Sequence, residues 1–151
     1  MIRDDIKAAL VTAMKARDAA STAAIRLIQS SIKNRDIELR TAATQPDDDL
    51  LVTEVLQKMV KQRRESIELY ERGNRPELAA AEAVEVAVIE RFLPKQMSEE
   101  EARAAIDVLA QELGASSVKD MGRVMAALKE RHAGQMDMGK ASALVKARLG
   151  G

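Results

Sequence analysis

Apolar residues in this chain recur at helical spacing from one end to the other, and that recurrence leaves little room for anything but helices. Ile2, Ile6, Leu10 and Met14 fall every fourth residue, which puts them on one stripe of an amphipathic helix. Ile25, Ile28 and Ile32 repeat the pattern, as do Ile106, Leu109 and Leu113, and Ala141, Leu144, Val145 and Leu149. With one Tyr, one Phe and no Trp, the core has to be built from Leu, Ile, Val, Met and Ala. That alphabet, with 32% charged residues, suits helices far better than sheets.

Capping and turn chemistry divides the pattern into seven helices. The first is expected from about Ile2 to Arg17, with Asp18 to Ser21 as the break. The second runs to about Arg40; Arg35 and Asp36 interrupt its apolar stripe, which reads as a helix end projecting past its neighbours. The segment TAATQPDDD (41–49) is the clearest internal loop, and its acids suit the positive start of helix three. Gly73 is placed to end that helix, with Asn74 as N-cap and Pro76 in the first turn of helix four. Ser98 and Glu101 have capping-box spacing at the start of helix five, and Gly114 stops it. Ser116 or Ser117 caps helix six, Gly134 follows its end, and Asp137 caps helix seven. The expected fold is all-α: an N-terminal four-helix bundle over residues 1–93, then a small three-helix domain over 94–151. The second domain, roughly 55 residues, sits near the lower limit for a core without staples.

Composition narrows the chemistry. There is no cysteine and one histidine, His132, so disulfides, thiolate metal sites and a His-paired nucleophile find no support. No cofactor is expected. His132 lies among charged residues at a helix end, where it is expected to meet the last carbonyls. The acids Asp47, Asp48 and Asp49 read as a solvated run and cap rather than a metal site. No stretch approaches ~20 apolar residues, so no membrane span is expected. The charged N-terminus does not resemble a signal peptide, and with the missing cysteines this points to a cytoplasmic location. No small-molecule substrate is indicated.

Two basic regions remain. Lys58, Lys61, Arg63 and Arg64 are followed by Glu65, Glu68 and Glu71, so pairs four apart, Lys61 with Glu65 and Arg64 with Glu68, are expected to neutralise that face. The second lies at the end of a chain whose formal net charge is zero. From Lys119 onward, seven bases (Lys119, Arg123, Lys129, Arg131, Lys140, Lys146, Arg148) stand against three acids. Lys119 and Arg123 are expected to face outward together, flanked by Gly122 and Ala126. Gly122 allows close approach either of another helix or of a nucleic-acid backbone. Lys140 and the free N–H groups at the start of helix seven suit a phosphate, although an ionised Asp137 would compete for them. With so few aromatics, base stacking is disfavoured, and RNA contact would be through phosphates, 2′-hydroxyls and shape.

The runs KQRRESIELYERGNRPELAAAE, VAVIERFLPKQMSEEE and GRVMAALKERHAGQMDMGKASALVKARL resemble the YqeY family. The C-terminal half is similar to the tail domain of the B subunit of tRNA-dependent amidotransferase. The resemblance implies a two-part helical protein linked to carbon–nitrogen ligation with glutamine as amido-nitrogen donor. Only the tail-like part is present, so a chain without its own catalytic centre is expected. The tail motif maps onto Gly122, Met125, Gly134, Asp137 and Leu144 as shape-setting positions. The expected function is a tRNA-binding or amidotransferase-associated accessory protein that uses Lys119, Arg123, Lys129, Arg131, Lys140 and Lys146. Its expected partners are tRNA and components of an amidotransferase or an aminoacyl-tRNA synthetase. The alternative is a protein-interaction module unrelated to RNA, suggested by methionine-bearing helix faces.

Overall fold

A computed structural model describes residues 1–150. The chain is all-helical, with α1 (Ile2–Lys15), α2 (Ala19–Glu38), α3 (Asp48–Arg72), α4 (Pro76–Glu90), α5 (Glu99–Leu113), α6 (Met121–Arg131) and α7 (Met138–Gly150). Short 3-10 turns occupy Leu39–Thr41 and Val118–Asp120. Two compact units divide the chain, Met1–Leu93 and Pro94–Gly151, and each has its own core. No described helix is long and apolar enough to cross a membrane.

In the first unit, Ile6, Ile25, Ile28, Leu56, Val52 and Ile89 are fully buried and join α1, α2, α3 and α4. Along α1 the buried residues are Ile6 and Ala13, while Met14 is 51% exposed. A four-residue step overshoots the 3.6-residue turn, so an every-fourth stripe drifts around the helix and Ala13 takes the inward place expected of Met14. The break between α1 and α2 also falls earlier than expected, at Ala16–Asp18, where Arg17 adopts φ 55°. Asp18 caps α2 by accepting from the Ser21 backbone N–H and hydroxyl at 3.0 and 2.6 Å.

The end of α2 does not project freely. Arg3 of α1 donates through both Nη atoms to Asp36 at 2.9 and 3.1 Å, and through Nε and Nη2 to Asp48 of α3 at 3.2 and 2.8 Å. One guanidinium thus ties three helices together. Its fork geometry is what permits two carboxylates at once. The neighbouring acids are occupied as well: Asp47 caps α3 through the Leu50 N–H, and Asp49 accepts from the Ile2 N–H.

The Arg3 hydrogen bond holds the Asp48 carboxyl below the usual carboxylate range, and the same contacts raise the Arg3 guanidinium further. A carboxylate depressed in the folded state stabilises it above its unfolded pKa, near 4, and loses that contribution as pH falls further. Arg3 stays charged throughout. Urea midpoints of the wild type and Arg3→Ala should therefore differ at pH 7, and the difference should shrink progressively as pH falls below about 4. A difference that stays constant down to the lowest pH at which the protein folds would show that Arg3 acts through packing instead.

Asn74, not Gly73, carries the left-handed backbone after α3, with φ 56° against −81° for Gly73. The N-cap of α4 is then Arg75, which makes no side-chain capping bond, and Pro76 occupies the first turn as expected. The expected ion pairs within α3 do not form. Arg63 and Arg64 instead reach across to Glu85 and Glu90 of α4.

In the second unit, Ile106, Leu109, Val124, Leu128 and Val145 are fully buried, with Met136, Ala141 and Leu149 around them. The Ser98–Glu101 capping box is complete, and Gly114 ends α5 with φ 64°. The segment before α5 is fastened to the turn before α7: Met97 N–H donates to the Gln135 carbonyl at 2.8 Å, and Gln96 Nε2 to the Gly134 carbonyl at 2.6 Å. Gly134 is buried with φ 76°, a conformation in which a side chain would be strained.

Candidate nucleic-acid interface

The basic residues of the second unit fall into two chemical groups. The arginines are engaged. Arg123 pairs with Asp120 at 2.8 Å and also reaches the Leu113 carbonyl. Arg131 pairs with Glu112 of α5, and Arg148 with Asp107 of the same helix. The lysines are not: Lys119, Lys129, Lys140 and Lys146 are exposed and form no ion pair among the described residues. The six expected contact residues thus divide, with Arg123 and Arg131 holding local structure and four lysines left to solvent.

A short internal repeat explains this division. Asp120-Met-Gly-Arg-Val-Met-Ala-Ala-Leu-Lys-Glu-Arg131 matches Asp137-Met-Gly-Lys-Ala-Ser-Ala-Leu-Val-Lys-Ala-Arg148, 17 residues later, at six of twelve positions. Each copy is a helix with its preceding cap residue. The two inward positions, Val124 and Leu128 in one copy, are Ala141 and Val145 in the other, and all four are buried. The closing arginine of each copy pairs with an acid on α5. The lysine of each copy, Lys129 or Lys146, is exposed without a partner. On α6, Gly122, Ala126 and Lys129 are spaced i, i+4, i+7 and share the outward stripe. On α7, Gly139, Ala143 and Lys146 do the same. The pattern is visible in the sequence, but its period lies below the 20–50 residues that mark solenoid repeats.

The glycines of the two copies differ in setting. A methyl group at Gly122 would meet no atom within 4 Å among the described residues, so none of the described helices packs closely on it. At Gly139 it would meet the Asp137 carboxylate at 3.1 Å, which is the group that caps α7 by accepting from the Gly139 N–H at 2.8 Å. Asp120 is turned elsewhere. Its carboxylate, hydrogen-bonded by Arg123 and by the Ser116 and Ser117 N–H groups, sits below the usual range. Of the remaining motif positions, Met125 and Leu144 are half-buried against the second core. His132 does not turn to the α6 carbonyls. Its Nδ1 meets the Gln135 side-chain oxygen at 3.2 Å, while its backbone N–H donates to the Leu128 carbonyl.

An exposed glycine with open space around it, in the first turn of a helix, is a stability cost the fold does not require. Gly122→Ala should raise the unfolding free energy by about 0.5 kcal/mol, read by thermal or urea denaturation. A loss of stability would show that Gly122 is held by a contact with its own chain.

A family model described as Yqey-like protein matches residues 3–149. The chain belongs to the YqeY family. Among curated proteins, this YqeY chain is similar to "Altered inheritance of mitochondria protein 41, mitochondrial" of Eremothecium gossypii. The two are 32% identical over 110 residues, 72% of this chain and 58% of that protein. The protein of the same name in Lachancea thermotolerans is 31% identical over 115 residues, 75% of this chain and 60% of that protein. The Saccharomyces cerevisiae protein is 28% identical over 93 residues, 62% of this chain and 46% of that protein. The YqeY chain thus spans about half to three fifths of the length of these relatives. Their names are mitochondrial, which overturns the cytoplasmic location expected from the sequence. Absence of cysteine reports on redox chemistry, and it does not distinguish one reducing compartment from another.

Proposed function

We propose that this YqeY protein is an RNA-binding accessory protein of tRNA-dependent amidation, with no catalytic centre of its own. Its C-terminal unit would contact tRNA through Lys119, Lys129, Lys140 and Lys146. The observation that carries the reading is the separation of charge within the repeat: both arginines are spent on α5, while both lysines stand free beside small residues. An ammonium on a flexible stem, next to a glycine or alanine that lets a backbone come close, suits a phosphate chain read by charge and shape. The resemblance of this half to an amidotransferase tail supplies the choice of tRNA among RNAs.

The reading is tested by titrating purified full-length protein into a labelled tRNA transcript at low salt. Saturable binding is expected, and no binding at low salt rejects the proposal. Capture from nuclease-treated lysate gives a second readout. If the protein fails to bind tRNA but retains a protein partner after nuclease, the function is protein interaction without RNA.

A further inference from the structure

The two units place their methionines differently. The chain has eight methionines and no cysteine, so thioethers are its most readily oxidised side chains. In the first unit they stand at the extremes: Met1 and Met14 are exposed, and Met59 is buried. The partly buried apolar side chains packed on that core, such as Leu10, Val55 and Leu93, include no methionine among the described residues. The second core is surrounded otherwise. Half of the partly buried apolar residues packed on it are methionines: Met97, Met121, Met125 and Met138. A half-buried thioether is open to a small oxidant and yet belongs to the packing. Met121 and Met138 hold the same position in the repeat, one residue after each aspartate, and each opens its helix. Met125 follows one turn after Met121. Met97 lies in the segment fastened to the turn before α7, through its own backbone N–H.

We propose that this methionine shell is a modification site, at which a peroxide reversibly opens the second unit and leaves the first intact. The sulfur lone pair attacks one peroxide oxygen, an S–O bond forms and the O–O bond breaks. The attacked oxygen gives its proton to the departing hydroxide, so water leaves. Sulfur is oxidised and the peroxide reduced, with no further reactant. The sulfoxide is polar and accepts hydrogen bonds, and an apolar core offers it no donor. The modified side chain therefore turns to solvent and gives up its place on the core. A unit of this size, without disulfide or metal, has little stability to lose. Met1 and Met14 already stand in solvent, so their oxidation leaves the fold unchanged.

The test adds hydrogen peroxide to the full chain, reading oxygen gained at each methionine by peptide mass spectrometry and backbone opening by amide exchange. Met97, Met121, Met125 and Met138 should gain oxygen several-fold faster than buried Met59. As they do, protection in α5–α7 should fall to that of exposed backbone, while the amides of Ile25, Ile28 and Leu56 stay protected. Leucine has nearly the volume of methionine and is not oxidised, so M97L/M121L/M125L/M138L should keep its protection in peroxide. Met14→Leu should respond as the wild type does. A readout that needs no variant is repair: methionine sulfoxide reductases for both epimers, added to the oxidised chain, should restore protection. Protection that persists in α5–α7 after the four methionines are oxidised overturns the proposal. So does a loss of protection that the leucine variant shares, or one that outlasts removal of the oxygen by the reductases. Oxygen uptake in the shell no faster than at Met59 does so too.

Discussion

Reversing the charge of Lys129 and Lys146 together should lower the affinity for tRNA at low salt by at least a hundredfold. These lysines occupy the same position of the repeat on α6 and α7, and both are exposed and unpaired. A hundredfold loss is about 2.7 kcal/mol, a reasonable effect when two attractive charges become two repulsive ones beside a phosphate chain. The folded state should not suffer, since neither side chain closes an ion pair among the described residues. The arginines make the contrast. Arg131→Ala and Arg148→Ala remove the pairs to Glu112 and Asp107, and their effect should appear in thermal denaturation. Both pairs are about half exposed, so each contributes on the order of 0–1 kcal/mol. Equal affinity loss from the arginine and lysine variants would mean that the repeat does not divide structure from binding.

Leu128→Ala should unfold the second unit. Leu128 is fully buried in a core whose other large, fully buried members are Ile106, Leu109, Val124 and Val145. Truncating a buried leucine costs roughly 2–5 kcal/mol through lost transfer energy and the cavity left behind. A unit of this size without disulfide or metal has about 3–5 kcal/mol in total. The substitution therefore removes most or all of the margin. Amide exchange should show loss of protection in α5, α6 and α7, while amides around Ile25, Ile28 and Leu56, in the other core, stay protected. Retained protection in α5–α7 would show that the second unit draws stability from more than its own core.

What the sequence discloses is governed by distance along the chain. The Ser98–Glu101 capping box, the Asp47 and Asp137 caps and the left-handed Gly114 each involve residues within a turn or so of one another, and each is legible without coordinates. Local choices with two close competitors are less so: Asn74 rather than Gly73 takes the left-handed turn, and Ala13 rather than Met14 takes the inward place. Contacts between helices lie further apart. Arg131 meets Glu112 across 19 residues, Arg148 meets Asp107 across 41, and Arg3 meets Asp48 across 45. Charge counting treats arginine and lysine alike, so it marks a basic end of the chain but cannot separate paired cations from free ones. The repeat of α6 and α7 holds that distinction in the sequence, because the same two columns are arginine towards α5 and lysine towards solvent.

The salt dependence of tRNA binding measures the free lysines directly. Four phosphate contacts, at 0.7–0.9 released counterions each, predict that log affinity falls against log salt with a slope of about −3 for the wild type. The slope should be shallower by about 1.5 when Lys129 and Lys146 are replaced with alanine. A slope near zero, or one that those two substitutions leave unchanged, would contradict the account.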